Sequence, residues 1–168
     1  DLIYHSEFVD RNLKVLEDIV EYTLKNSSRL HVVVGYIERN SGAGKPFLNM
    51  AAVINNGEII GTYQKQLLPF YDVFDELRYF EPGANLLVLD IAGKKVGVAI
   101  CEDLWNDKGS DSYNYADNPL HQYRSTGVEV ILSLNSSPYV HDKPWQRLSL
   151  ISPSTVDGLS IVYVNQRG

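Results

Sequence analysis

Two side chains in this sequence have the type and setting for covalent chemistry. Cys101 follows the apolar run Val96-Gly97-Val98-Ala99-Ile100 and precedes Glu102-Asp103-Leu104-Trp105. A strand that ends in a small nucleophile at a sharp turn is a common way to present a reactive side chain. A thiol in that setting needs a partner base, because its free pKa is near 8.5. The same cysteine also reads as a buried, inert thiol acting as a small hydrophobe. Lys65 lies in Tyr63-Gln64-Lys65-Gln66-Leu67-Leu68-Pro69, near the end of another apolar run. Among such neighbours a lysine is either an edge residue whose amine snorkels to water or a fixed cation aimed into a site.

The elements that must position these residues can be read from periodicity. From Glu7 to Ser28 the apolar residues Val9, Leu13, Leu16, Val20 and Leu24 recur at three- and four-residue steps, which predicts a helix with Glu17, Asp18, Glu21 and Lys25 on its wet side. Leu30–Tyr36 reads as a buried strand and Arg39–Pro46 as a surface loop. Strands over Phe47–Ile54 and Glu58–Gln64 flank Asn55-Asn56-Gly57, whose Asn-Gly supplies the positive φ angles of a tight hairpin. A second hairpin joins Leu86–Ile91 to Lys95–Ile100 through Ala92-Gly93-Lys94. Pro119–Ser125 predicts a helix closed by Gly127, ahead of a strand over Val128–Leu134. A helix starting at Pro144 and running towards Ile151, then a strand over Ile161–Val164, complete the pattern. Helices alternate with strands, interrupted by two hairpins, so the fold class is α/β with a mixed sheet and helices packed on a face.

Composition narrows the function. The chain has 168 residues and a formal net charge of −6, which argues against nucleic acid because phosphate binding needs a basic patch. Its single cysteine excludes an intramolecular disulfide and fits a reducing compartment. No apolar run approaches the roughly 20 residues of a membrane span. Gly42-Ala43-Gly44-Lys45 fails as a phosphate loop, since Pro46 replaces the Ser/Thr and Arg39 the first Gly. His5, His31, His121 and His141 lack metal-ligand spacing, so no metal is expected.

Three runs carry a likeness to a known family: Tyr63-x-Lys65-x-x-Leu68-Pro69, then Phe74-Asp75-Glu76-x-Arg78-Tyr79-Phe80-x-Pro82-Gly83, then Cys101-Glu102-Asp103-Leu104-Trp105. Together they resemble the nitrilase (carbon–nitrogen hydrolase) superfamily, and within it the glutamine-hydrolysing domain of glutamine-dependent NAD synthetases. Asn135-Ser136-Ser137-Pro138-Tyr139 with Lys143 and Arg147, and Tyr163-Val164-Asn165-Gln166, resemble that family's following motifs. The likeness runs along nearly the whole chain, and its specific part lies between Lys65 and Cys101.

The resemblance implies a nitrilase-like α-β-β-α sandwich and hydrolysis of a carbon–nitrogen bond by a Glu, a Lys and a Cys. Cys101 would attack the side-chain amide of L-glutamine, and Lys65 would stabilise the oxyanion together with a backbone N–H near Cys101. Glu76 matches an acidic position that supports the lysine; its plainer reading is a loop residue paired with Arg78. The family's general-base glutamate sits just before an Asp-Leu pair, and this chain begins with Asp1-Leu2. The expectation is therefore that residues 1–168 are the central part of one glutamine amidohydrolase domain, cut at both ends, with the base one position upstream. Such a piece alone should be nearly inactive, because a general base contributes about 10² to 10⁴ in rate.

Tyr71, Glu102, Ser137 and Lys143 match substrate-contacting positions of the family, with Glu102 on the α-ammonium and Ser137 and Lys143 at the amino-acid end. Without the resemblance, Tyr71 reads as packing and Glu102 and Lys143 as solvated charges. The chain departs from the pattern at Asp142, where glycine is frequent, and at Ser152-Pro153-Ser154-Thr155, which breaks the usual helix. The resemblance further implies no cofactor in this domain, ATP and Mg belonging to a synthetase domain of the same polypeptide that lies outside this chain. It implies a cytoplasmic homo-oligomer with no nucleic-acid or membrane partner. Two alternatives stand beside it: a stand-alone nitrilase-family amidase on another small amide, and a catalytically dead scaffold.

Overall fold

Apolar spacing at the start of the chain becomes a long helix because one face of it has a sheet to cover. The structure is a computed structural model that describes residues 2–26, 29–71, 73–105, 115–138, 141–142, 144–149 and 158–166. The chain forms two compact units, Asp1–Asn85 and Leu86–Gly168.

In the first unit, helix α1 (Ser6–Asn26) packs on a three-stranded antiparallel sheet in the order β1 (His31–Arg39), β2 (Phe47–Asn55), β3 (Glu58–Gln64). Leu16 of the helix meets Tyr36, Met50, Ala52 and Ile54 of the strands, with Leu13, Ile19 and Val20 at the margin. Strand β1 runs past the expected Tyr36 to Arg39, because α1 fixes its far end: Ile37 N–H donates to Asn12 Oδ1 (2.8 Å) and Arg39 to Asp10 Oδ1 (2.7 Å). One expected core position shifts as well. Leu24 is exposed and Thr23 is buried in its place, since its hydroxyl donates to Val20 O and accepts the Gly57 N–H, tying the last turn of α1 to the β2–β3 turn. That turn has Asn56 and Gly57 both at positive φ (49° and 80°), as the hairpin reading requires.

The second unit holds a mixed sheet in the order β4 (Val88–Ile91), β5 (Lys94–Ile100), β6 (Val130–Asn135), β7 (Ser160–Asn165). The β4–β5 hairpin is antiparallel, and β5, β6 and β7 run parallel to one another. The described residues thus hold two sheets, one antiparallel and one mixed, and the mixed pairing that the sequence predicts lies in the second. Helix α2 (Pro119–Ser125) has the expected ends: the Asn118 side chain accepts the His121 N–H, Pro119 opens the first turn, and Gly127 lies at φ 73° after the last. Its Leu120 and Tyr123 join Ala99, Leu104, Trp105, Val128, Ile131 and Leu159 in a core of their own. Residues 144–149 are helical, while 150–157, where the helix break was expected, lie outside the described residues.

Candidate active site

Lys65 follows directly on β3, and the backbone holds it from both sides: its N–H donates to Asn49 O (2.9 Å) and its carbonyl accepts from Gly83 N–H (2.8 Å). Gly83 permits this approach, since a Cβ there would run into the Gln64 carbonyl oxygen. The Lys65 side chain is 2% exposed, so it is no snorkelling edge residue. Its Nζ donates to both carboxylate oxygens of Glu76, at 2.7 Å each. Glu76 opens a 3-10 turn over Glu76–Arg78, with its N–H on Pro69 O (2.9 Å) and its carboxylate also accepting from Asn49 Nδ2 (3.3 Å). The competing pairing with Arg78 does not form; that guanidinium lies 3.9 Å from Asp75 instead. A buried ammonium is costly unless paired and hydrogen-bonded, and Glu76 supplies both. Tyr71 is half-buried and packs edge-on against Phe74.

Cys101 stands immediately after β5 and has a φ of 45°, in the left-handed region that L-residues other than Asn and Asp rarely enter. Such a conformation costs on the order of 1–3 kcal/mol and persists only where surrounding structure enforces it. The thiol is half-buried, and the chain turns at once into a 3-10 turn over Cys101–Leu104, closed by Trp105 N–H on Glu102 O (2.8 Å). Strand, strained cysteine and turn follow one another, the order found in the nucleophile elbow of other folds. Glu102 is 4% exposed and accepts a hydrogen bond from the Tyr115 hydroxyl at 3.2 Å, which removes the solvated-charge reading.

The parallel strands bring further residues to the same end of the sheet. Their register sets Ile100 beside Leu134 and Asn135 beside Asn165, so the carboxyl ends of β5, β6 and β7 lie side by side. Open α/β sheets take their ligands at that end. Ser137, just past β6, is buried and its backbone is held at both groups: N–H on Asn165 Oδ1 (3.0 Å), carbonyl accepting from Arg147 Nη2 (3.1 Å) and Asn165 Nδ2 (3.3 Å). Tyr163 of β7 carries the Arg147 guanidinium 5.7 Å from its ring centre. Its phenol pKa is pushed up by burial first and then by the negative charge of a Cys101 thiolate. Lys143 lies outside the described residues, as do Tyr139 and Ser152-Pro153-Ser154-Thr155.

The first unit thus brings Lys65 and Glu76 together, and the second sets Cys101, Glu102 and Ser137 at the ends of adjacent strands. Asn49, Asp103, Tyr115 and Asn165 are the residues that residue-by-residue reading of the sequence gave no role. The signal for Asn165 was faint, a polar residue closing an apolar strand. Nothing local marks Asn49 or Tyr115, whose partners are distant in sequence. Among the described residues no group of three or more His, Cys, Asp or Glu is placed to hold a metal ion, and no helix is long and apolar enough to cross a membrane.

Comparison with known proteins gives the family and the fold. The carbon-nitrogen hydrolase family matches residues 23–152. The glutamine-dependent NAD(+) synthetase of Thermotoga maritima is 38% identical over the whole chain, and that of Aquifex aeolicus 34% identical. The chain spans 27% of the length of each of these relatives. The solved structure of the glutamine-dependent NAD+ synthetase of Acinetobacter baumannii superposes with a TM-score of 0.76 at 35% identity, over 94% of this chain and 28% of that one. An amidase of Nesterenkonia shares the fold alone, with a TM-score of 0.72 at 16% identity over 94% of this chain and 54% of its own.

Proposed function

The chain belongs to the carbon-nitrogen hydrolase family, and we propose that it hydrolyses the side-chain amide of glutamine as part of a glutamine-dependent NAD synthetase. The observation that carries this reading is the Cys101 elbow at the carboxyl ends of three parallel strands. The Cys101 thiolate attacks the amide carbon, and the electron pair of the carbonyl moves onto oxygen. Lys65, a buried cation held by Glu76, is the charge that stabilises that oxyanion. Collapse of the tetrahedral intermediate breaks the carbon–nitrogen bond; the leaving nitrogen takes the proton that the thiol gave up and departs as ammonia. Water then cleaves the glutamyl thioester to glutamate and restores the thiol. Glu7, exposed in the first turn of α1, is not assigned as the base.

Substrate recognition follows from the zwitterion. The buried Glu102 carboxylate suits the α-ammonium group, and Tyr71, Ser137 and Lys143 the remainder of the amino acid. The ammonia would pass to a synthetase domain of the same polypeptide, which would bring its own ATP and Mg while this domain uses no cofactor. A cytoplasmic homo-oligomer completes the proposal. The 34–38% identity to synthetases along the full chain supports it.

The test is intact-mass analysis of the full polypeptide after exposure to a diazo-ketone analogue of glutamine. The expected result is a single adduct, mapped to Cys101 and blocked by excess glutamine. Labelling of Cys101 by a plain alkylator but not by the analogue would point to a different amide or an inactive site.

A further inference from the structure

The proposed hydrolysis assigns Asp103 no step, yet this residue is wholly buried, at 0% exposure, two positions beyond Cys101. Its Oδ2 accepts the N–H of Ile100 at 2.9 Å, so the carboxylate reaches back across Cys101 to the last residue of β5. This closes a ring over residues 100–103 whose one strained member is Cys101, at φ 45°. A residue at positive φ leaves the up-and-down alternation of a strand, and without enforcement an L-residue relaxes to negative φ. Ile100 itself is extended (φ −122°, ψ 110°), and the turn beyond is closed by Trp105 N–H on Glu102 O. The conformational change from strand to turn is therefore concentrated at Cys101, directly under the Asp103 clamp.

We propose that Asp103 is a positioning residue for Cys101: by accepting the Ile100 N–H it holds the nucleophile's backbone in the left-handed conformation from which the thiol meets the substrate. The side chain acts through the backbone at Cys101. The acceptor oxygen and its reach carry the role, so an amide keeps it and a shorter or apolar side chain does not. The proposal rests on Cys101 being the nucleophile of glutamine hydrolysis.

The test compares D103N and D103A with wild type in the full polypeptide, reading adduct formation with the diazo-ketone analogue and, separately, with iodoacetamide. D103A should react with the analogue about 10- to 100-fold more slowly, since a displacement near 1 Å can cost that much. Its reaction with iodoacetamide, which needs no aimed thiol, should stay within about threefold, and D103N should behave as wild type with both reagents. If D103A precipitates, D103S replaces it, because its hydroxyl is too short to reach Ile100. Equal slowing of D103A towards both reagents overturns the clamp, since the thiol would then be covered or less ionised, not misplaced. An unslowed D103A overturns it too, as does a D103N as slow as D103A. A wild-type chain that iodoacetamide labels but the analogue does not defeats the glutamine reading and the clamp with it; every other adverse result defeats the clamp alone.

Discussion

Lys65 and Glu76 show what one residue's surroundings add to its type. A lysine and a glutamate 11 positions apart form a buried pair because Lys65 follows β3 and Glu76 opens a turn hung on the Pro69 carbonyl. Neither anchor is visible in the local sequence, and so the plainer pairing of Glu76 with Arg78 stays open until the fold is known. Removing one member of a buried pair leaves the other charge uncompensated, at about 3–5 kcal/mol. E76A should therefore destabilise the first unit by roughly that amount, read from urea unfolding, whereas E76Q keeps an acceptor and should cost less. K65M should act in the opposite way. It removes the buried cation and leaves a carboxylate whose side chain is 23% exposed and can find water, so stability should change little. Glutamine hydrolysis by the full polypeptide should nevertheless fall about 10²- to 10³-fold, as when an oxyanion donor is lost. A K65M protein that is unstable but hydrolyses at the wild-type rate would show that the pair is structural only.

Elements were legible wherever a turn or a cap writes its own residue types. Asn55-Asn56-Gly57 and Ala92-Gly93-Lys94 both specify hairpins, and Pro119 with Gly127 brackets α2 within the span read from the sequence. What pattern could not show is strand order, because pairing of β5, β6 and β7 is fixed by what packs between them and not by any one strand. The neighbourhood of Cys101, Ser137 and Asn165 depends on that order alone. Asn165 holds the Ser137 backbone at both its N–H and its carbonyl, so N165A should loosen Ser137 without touching Cys101. The KM for glutamine should rise about tenfold with kcat nearly unchanged, the signature of lost uniform binding; a fall in kcat at constant KM would place Ser137 in the chemical step instead. Gly97 in the middle of β5 is a packing requirement of the same element. A Cβ there would sit 2.7 Å from Cε1 of Tyr123, a ring that is fully buried and whose hydroxyl bonds Val98 O and accepts from Leu87 N–H. The ring has nowhere to go, and G97A should cost about 1–3 kcal/mol in unfolding free energy.

Over the whole molecule the net charge of −6 and the surface ion pairs set solubility more than stability. Lys14–Asp18, Lys25–Glu21 and Lys94–Glu129 are all well exposed, so removing any one of these pairs by mutation should change the unfolding free energy little. The alkaline limit is different, because each unit buries a tyrosine hydroxyl. In the first, Tyr36 is raised above the ordinary phenol value by burial and then by the neighbouring charge of Glu38. In the second, burial pushes Tyr123 to about 12. Below the unfolded value near 10 both states keep the proton and stability is independent of it. Between about 10 and 12 the unfolded chain loses the proton and the folded one does not, so stability falls as pH rises. For Tyr123 a rise of two units corresponds to about 2.7 kcal/mol, fully present below pH 10 and gone by about pH 12. Urea titrations at intervals from pH 8 to 11.5, followed by the fluorescence of Trp105 in the same core, should show this decline. In Y123F the slope above pH 10 should flatten, while at pH 8 the variant should be less stable by about 1–3 kcal/mol, because Leu87 N–H and Val98 O lose their shared partner. An unaltered alkaline slope in Y123F would mean that another group, Tyr36 first among them, sets the limit for the whole chain.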